Sequence, residues 1–448
     1  VIVKTELDQN RTTSKATSAR PDGPFSSDTG LSGKRVGMVL FSYYPADPRP
    51  RRAAEALAGC GMSVDLICLR EDSNEPRHDA LNGVNIRRVP IRRRRGGVAG
   101  YIYQYLVFLL ASSAILVARS LKKRYDLIYV HNMPDFLVYS ALIPKMLGAK
   151  VVLDLHDPMP ELMRTIFDLS PEARSVRLLK LIEKWSLGFA HSVVTVNLAC
   201  AKLFASRSCP SQKVSVVMNS PDEEIFRPRT SATRSSERSS DKPFVIMYHG
   251  SLVERNGLDL AVEALARVHT SIPNAELRIY GSRNAFLDSV MESVRQQGLE
   301  QSIRYLGPKP LEEIVKAIDA CDVGVVPNRR NIFTELNTPT RIFEYLALGK
   351  PVIAPRAPGV CDYFDDQSLI FFELGSAEDL ARQIEFVFRN PHQTLEIMRR
   401  GQEIHQTHTW RAERHRLTGL VSGLLRTGLS NTQLNEEISE RRSATIRK

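Results

Sequence analysis

A single carboxylate interrupts residues 337–355, NTPTRIFEYLALGKPVIAP, a segment that otherwise reads as core. On a wheel at 100° per residue, Pro339, Ile342, Phe343 and Leu346 share one face, and Arg341, Glu344 and Leu348 share the opposite one. Glu344 is therefore free to bind a ligand, or to pair with Arg341 at i, i+3 for roughly a few tenths of a kcal/mol. Leu348 on the same face argues that this face does not simply meet water. Thr338 suits the cap of this helix and Pro339 its first position, while Gly349 and Pro351 suit its end.

Four other segments combine strand ends with polar residues. In YHGSLVERNGLDLAVEAL (248–265), Gly250, Arg255 and Gly257 lie between a strand and a helix. Helix-start amides beside a guanidinium make a phosphate site, although glycine in such a turn is common. VHNMPDF (130–136) carries His131, Asn132 and Asp135, and LDLHDPMPEL (153–162) carries Asp154, His156 and Asp157. Asp and His together can hold a metal, but this spacing matches no strong ligand motif, and a strand-end His is commonly structural. The fourth segment, SYYPADPRPRR (42–52), holds Asp47 and opens a helix with Arg49, Arg51 and Arg52, which are either solvated or acceptor-binding.

The scaffold that must carry these residues is an α/β alternation from Arg35 to about residue 425. Short β-rich runs VGMVLFS (36–42), SVDLICL (63–69), DLIYVH (126–131), KVVLDLH (150–156) and SVVTV (192–196) alternate with helical patterns. The rhythm breaks at a polar stretch, 227–243, and restarts with FVIMYH (244–249), ELRIY (276–280), SIRYL (302–306), DVGVVP (322–327), KPVIA (350–354) and SLIFF (368–372). The expectation is two doubly wound Rossmann-like domains, 34–218 and 244–425, joined by a linker at 219–243, with ligands at the carboxyl ends of the strands in a central cleft. Residues 1–33 and 426–448 are polar, and the first of these tails is expected to be disordered.

Composition narrows the partners. The 448 residues include 61 basic and 50 acidic ones, a net charge of +11 that favours anionic partners. Six cysteines show no zinc-like spacing and read as small buried residues of a reducing cytosol; no secretory pattern opens the sequence. RRVPIRRRR (87–95), with Arg92, Arg93, Arg94 and Arg95, precedes the apolar YIYQYLVFLLASSAILVA (101–118). Basic flanks on both sides give no orientation for a bilayer span. Two readings stay open: a helix of the first domain lying on anionic lipid through these arginines, at ~1 kcal/mol each, or a buried core helix with solvated arginines. No nucleic-acid reading module accompanies the charge.

Together and in order, GSLVERNG (250–257), LRIYG (277–281), IRYLG (303–307), CDVGVVP (321–327) and NTPTRIFEYLALGKPVIAP resemble the retaining glycosyltransferases of family 4, which have the GT-B fold. VVMNSPDEEIFRP (216–228) and HTWRAERHRL (408–417) resemble its interdomain segment and terminal crossing helix. The resemblance implies a nucleotide-sugar donor in the second domain, a glycan acceptor in the first, no catalytic metal and no cofactor. It implies donor contacts from Gly250, Ser251, Arg255, Asn256, Gly281, Asn337, Thr338 and Glu344, the last matching the second glutamate of a Glu-x7-Glu motif that binds ribose hydroxyls. His156 matches the active-site His, with Asp157 beside it; Asp47, His131 and Asp135 are assigned to the acceptor. Departures are Leu336 where the family's first glutamate falls, and Ser251 and Asn256 where it has Arg and Lys, with Arg255 in reach to replace the charge.

The leading expectation is an enzyme that adds a sugar to a lipid-linked precursor of a bacterial surface or exopolysaccharide, bound peripherally at the inner face of the cell membrane. A nucleotide-sugar epimerase of similar fold would need more cleft carboxylates and histidines, and a non-catalytic sugar-nucleotide binder would explain Leu336, Ser251 and Asn256.

Overall fold

The structure, a computed structural model, describes residues 29–91, 98–227 and 242–426. Most of the tail expected to be disordered, the Arg92–Arg95 cluster, much of the 219–243 linker and nearly all of the tail from 426 lie outside the described residues. Within the described part, Leu31 is fully buried, so the ordered chain starts before Lys34.

Described residues 29–218 and 413–426 form one compact unit, and 219–227 with 242–412 form another. In the first, the order is β1 (Arg35–Val39), α1 (Pro48–Gly59), β2 (Ser63–Leu69), β3 (His78–Leu81), β4 (Val84–Val89), α2 (Val98–Lys122) and β5 (Leu127–His131). A 3-10 turn (Asp135–Ala141) then leads to α3 (Leu142–Met146), β6 (Lys150–Leu155), α4 (Met159–Phe167), α5 (Arg174–Phe189), β7 (Ser192–Thr195), α6 (Leu198–Arg207) and β8 (Val214–Val216). The sheet order is β3-β4-β2-β1-β5-β6-β7-β8, parallel except for the β3–β4 hairpin at one edge. The central runs are Val-, Ile- and Leu-rich because helices cover both faces of such a sheet.

The second unit runs β9 (Phe244–His249), α7 (Leu258–Val268), β10 (Ala275–Tyr280), α8 (Ala285–Gln296), β11 (Ile303–Tyr305), α9 (Leu311–Ala320) and β12 (Val323–Val325). It continues through α10 (Ile332–Leu336), α11 (Thr340–Ala347), β13 (Val352–Arg356), α12 (Pro358–Cys361), β14 (Ile370–Glu373), α13 (Ala377–Arg389) and α14 (Pro391–Gln406). Its parallel sheet has the order β11-β10-β9-β12-β13-β14. The last helix, α15 (Trp410–Leu425), packs from Glu413 onward with the first unit.

Three strands escape the sequence reading: β3, β4 and β8. β4 was hidden because its arginines look like part of a basic run. Arg88 is in fact buried in the strand and pairs with Asp79 at 3.1 Å and Glu75 at 3.7 Å. All six cysteines are free, but Cys361 is exposed and Cys60 and Cys209 are half-buried, against the expectation of uniform burial.

Candidate active site

In the first unit, neighbouring strands β5 and β6 end together and bring His131 beside Asp154. The buried Asp154 carboxylate accepts from Arg49 Nη2 at 2.6 Å and Nε at 3.0 Å, and from the Tyr129 hydroxyl at 3.0 Å. Burial alone would raise its pKa, but Arg49 and the neighbouring histidines hold it far below the carboxylate range. His131 Nδ1 lies 3.1 Å from His156 Nε2 and 3.4 Å from Asp154 Oδ2. Burial drives the half-buried His156 down to about 3, so its imidazole is neutral at physiological pH.

Asn132 ties the two strand ends to each other. Its amide donates to Asp135 Oδ1 and to the Asp157 carbonyl, both at 3.0 Å, while its carbonyl accepts from the His156 N–H at 2.8 Å. Burial lifts Asp135 to about 7, against the pull of the Asn132 hydrogen bond. His131, Asp154 and His156 are close enough together to hold a metal ion. The guanidinium already bound to Asp154 works against a cation there, because it neutralises the carboxylate that would ligate it. Asp47 is half-buried just before α1, at the end of the β1 loop.

In the second unit, β9 ends at His249 and the chain turns through Gly250 (φ +119°) into α7. Gly257 adopts φ +68°, and a Cβ there would stand 1.8 Å from the Pro327 carbonyl oxygen, so the loop can press on the end of β12 only without a side chain. At Gly281 a Cβ would stand 2.3 Å from the Gly250 carbonyl oxygen. The Tyr248 hydroxyl and the Asn256 amide both donate to the Ser251 carbonyl, at 2.8 and 2.9 Å. Ser251 Oγ is buried with no partner among the described residues. His249, Gly250, Tyr280, Gly281 and Lys309 contribute to the lining of a recess beside this loop.

Helix α11 delivers the opening carboxylate to the same place. Glu344 Oε2 lies 2.6 Å from His249 Nε2, and His249 Nδ1 lies 2.9 Å from the Tyr345 hydroxyl, which itself donates to the Met247 carbonyl. Arg341 Nη1 donates to the His249 carbonyl at 2.7 Å, its guanidinium 5.0 Å above the Tyr248 ring and against Gly250. No described carboxylate lies at ion-pair distance from it.

Several expectations change here. Glu344 and Arg341 share a helix face but do not pair; each turns to His249. Thr338 does not cap the helix: its hydroxyl donates to the Gly359 carbonyl at 2.5 Å, and α11 starts at Thr340 with Pro339 before it. The free first-turn amides thus belong to Thr340 and Arg341 rather than Asn337 and Thr338. Arg255 stacks on Phe333, its guanidinium 5.5 Å from the ring, while Asn256 braces the loop. Sequence reasoning passed over His249 and Tyr129, and read Arg341 only as an ion-pair partner of Glu344. His249 carried the signal used for His131, a polar residue closing an apolar strand, whereas Tyr129 and Arg341 carried none that one sequence displays.

The family described as "Glycosyl transferases group 1" matches residues 230–403, and "Glycosyl transferase 4-like domain" matches residues 46–220. A D-inositol 3-phosphate glycosyltransferase of Corynebacterium glutamicum is 29% identical over 33% of this chain and 36% of its own length. The "Probable glycosyltransferase WbjE" of Pseudomonas aeruginosa is 24% identical over 58% of this chain and 62% of its own. The chain thus spans from about a third to under two thirds of the length of these curated relatives. Among solved structures, the sucrose-phosphate synthase of Thermosynechococcus elongatus superposes with a TM-score of 0.71 at 18% identity, covering 88% of this chain and all of that one. HepE of Anabaena in complex with UDP superposes with a TM-score of 0.64 at 16% identity, covering 87% and 99%. These likenesses share one fold, and the matched families do not favour an epimerase. Two transferase families in tandem, each on its own parallel-sheet unit, make this chain a member of the family 4 glycosyltransferases with the GT-B fold.

Proposed function

We propose that this glycosyltransferase moves a sugar from a nucleoside diphosphate sugar to a hydroxyl of a glycan acceptor, with retention at the anomeric carbon. The observation that carries the donor half is Arg341, a cation without a described carboxylate partner, beside Gly250 at the end of β9. Solved structures of the same fold hold UDP and UDP-2-fluoro glucose, which supports a nucleotide-sugar donor.

In this reading the bond from the anomeric carbon to the phosphate oxygen breaks, and both electrons stay on the diphosphate. Arg341 and the amides of Thr340 and Arg341 stabilise that charge as it forms. Gly250, Ser251 and Gly281 let the phosphates approach, and Glu344, fixed by His249, accepts from the ribose hydroxyls. The acceptor hydroxyl attacks from the face the diphosphate leaves, and the departing oxygen takes its proton. His156, with a pKa near 3, is a poor base at neutral pH; its ring orients the sugar or acceptor through the nitrogen that His131 does not use. Asp157 holds its place beside His156 through the Asn132 amide, and Asp47, His131 and Asp135 lie on the acceptor side.

The acceptor is read as a lipid-linked precursor of a bacterial surface or exopolysaccharide, met at the cytoplasmic face of the cell membrane; six free cysteines suit that compartment. No cofactor enters this scheme, and turnover is expected to survive EDTA. A panel of UDP-, GDP- and ADP-sugars with lipid-extracted acceptors, read by the anomeric configuration of the product, tests the proposal. Binding without turnover of any donor would sink the transfer and favour the non-catalytic reading raised by Leu336, Ser251 and Asn256. An inverted product would sink retention alone.

A further inference from the structure

The helix α2 is built inside out for a helix beside water. Its buried ridge carries Gln104, Phe108, Ser112, Leu116 and Ser120, three of the five polar. Its outward stripe carries Ile102, Tyr103, Leu106, Leu110 and Leu121, none of them charged, with Tyr103 and Leu110 each 69% exposed. Between Leu110 and Leu121 the stripe continues through the exposed Ala114 and Ala118. A solvated helix puts its polar residues on the outward face, so this face has a partner other than water.

The apolar surface does not stop at α2. Helix α3 packs against α2 and exposes Leu142, Ile143 and Met146, the last 75% exposed. Lys145 of α3 caps the end of α5 by donating to the Phe189 carbonyl at 2.5 Å. Helix α5 in turn exposes Leu178, Leu181 and Trp185. Arg174, Arg177 and Lys184 are exposed on the same helix, and Lys122, Lys123 and Arg124 at the end of α2. None of these six has an ion-pair partner among the described residues.

We propose that the outward faces of α2, α3 and α5 form one docking surface for a bilayer with anionic headgroups, with α2 lying in the interface rather than crossing it. Length and hydropathy alone would let residues 100–122 span a bilayer. Against spanning, the polar ridge of Gln104, Ser112 and Ser120 is packed on the first unit, and β5 starts only five residues after α2 ends. An apolar stripe with aromatic residues, bordered by unpaired basic ones, is the pattern of a helix lying at the headgroup boundary. Charge complementarity selects anionic lipid over a second copy of this chain, whose identical basic border would repel it. The inference does not depend on the donor site.

Flotation of the full chain with phosphatidylglycerol vesicles and with phosphatidylcholine vesicles tests it, without any nucleotide sugar. The chain is expected to float with phosphatidylglycerol vesicles, less with phosphatidylcholine, and less with phosphatidylglycerol at high salt. Leu106→Ser with Leu110→Ser is expected to lower partitioning about tenfold or more at an unchanged melting temperature, since both side chains are exposed. Arg177→Gln with Lys184→Gln is expected to remove most of the preference for phosphatidylglycerol. Absence of flotation, or equal binding by the leucine variant, overturns the proposal. So does a lipid-free dimer that the leucine variant dissociates, which would assign the face to a second copy.

Discussion

The strand ends of β5 and β6 and the strand end of β9 both gather polar side chains, yet they balance charge in opposite ways. In the first unit, Asp154 is buried, and Arg49 and Tyr129 already satisfy it. In the second, Arg341 meets a carbonyl and an aromatic face, with no described carboxylate at ion-pair distance. A site whose charges are neutralised internally holds shape, because an unpaired buried charge is costly to leave behind. A site with a spare cation, helix-start amides and glycine-lined backbone keeps its binding capacity for a ligand anion. In the proposed reading the first arrangement therefore positions, and the second binds.

The strongest way to break that contrast is to remove Arg49. Arg49→Ala leaves Asp154 buried without its counter-charge, and urea or thermal unfolding is expected to show a loss of about 3–5 kcal/mol. Combining it with Asp154→Asn should recover part of the loss, and an unchanged melting temperature would show that the cluster does not hold the strand ends.

Asp135 sharpens the same side through pH. Its pKa of about 7 in the fold lies above the unfolded carboxylate value, so the folded chain keeps a proton that the unfolded chain gives up. Stability from this group therefore falls as pH rises from about 4 to about 7. Asp135→Asn, which keeps an acceptor for Asn132, should match the parent near pH 4 and exceed it at pH 8 by up to ~4 kcal/mol. Parallel stability curves for the two proteins would remove burial of Asp135 as the cause.

On the second unit the expected signs reverse, with binding lost and stability kept. Arg341→Ala should weaken the affinity for a UDP-sugar by ~1.5–3 kcal/mol in calorimetry, with little change in melting temperature. Arg255→Ala should cost less, because that guanidinium stacks on Phe333. If Arg255→Ala proves the more damaging of the two, the loop rather than the helix supplies the charge. Glu344→Ala is intermediate in kind: it should weaken donor binding by ~1 kcal/mol and also lower stability, since His249 loses its 2.6 Å partner. Unchanged donor affinity with lost stability would make Glu344 a structural residue.

Much of the fold could be read along the chain because its evidence is local. Apolar β-rich runs separated by helical patterns specify central parallel strands wherever both faces are buried, and β2 and β9 fall where the runs predict. The edge elements could not be read this way. HDAL in β3 has no apolar alternation, and VSV in β8 is too short for a pattern. The start of α11 falls one residue later than the sequence suggests, because Thr338 looks like a cap in sequence, while in space its hydroxyl finds Gly359, twenty-one residues away.

The sequence by itself determined that two α/β units would form, that polar residues would close their strands, and that one apolar helix would follow a basic run. These depend on composition and periodicity, which neighbouring residues carry. Only the tertiary structure decided which charges meet. Glu344 faces His249 across 95 residues, and Arg49 reaches Asp154 across 105. Helix periodicity says which side of α11 carries Glu344 and Arg341, but not what stands opposite. That partner is chosen by the parallel sheet, which sets β9 beside β12 and the loop after β9 against α11. The same packing turned the polar ridge of α2 inward and left its apolar stripe outside, an outcome that its almost uniformly apolar sequence leaves open.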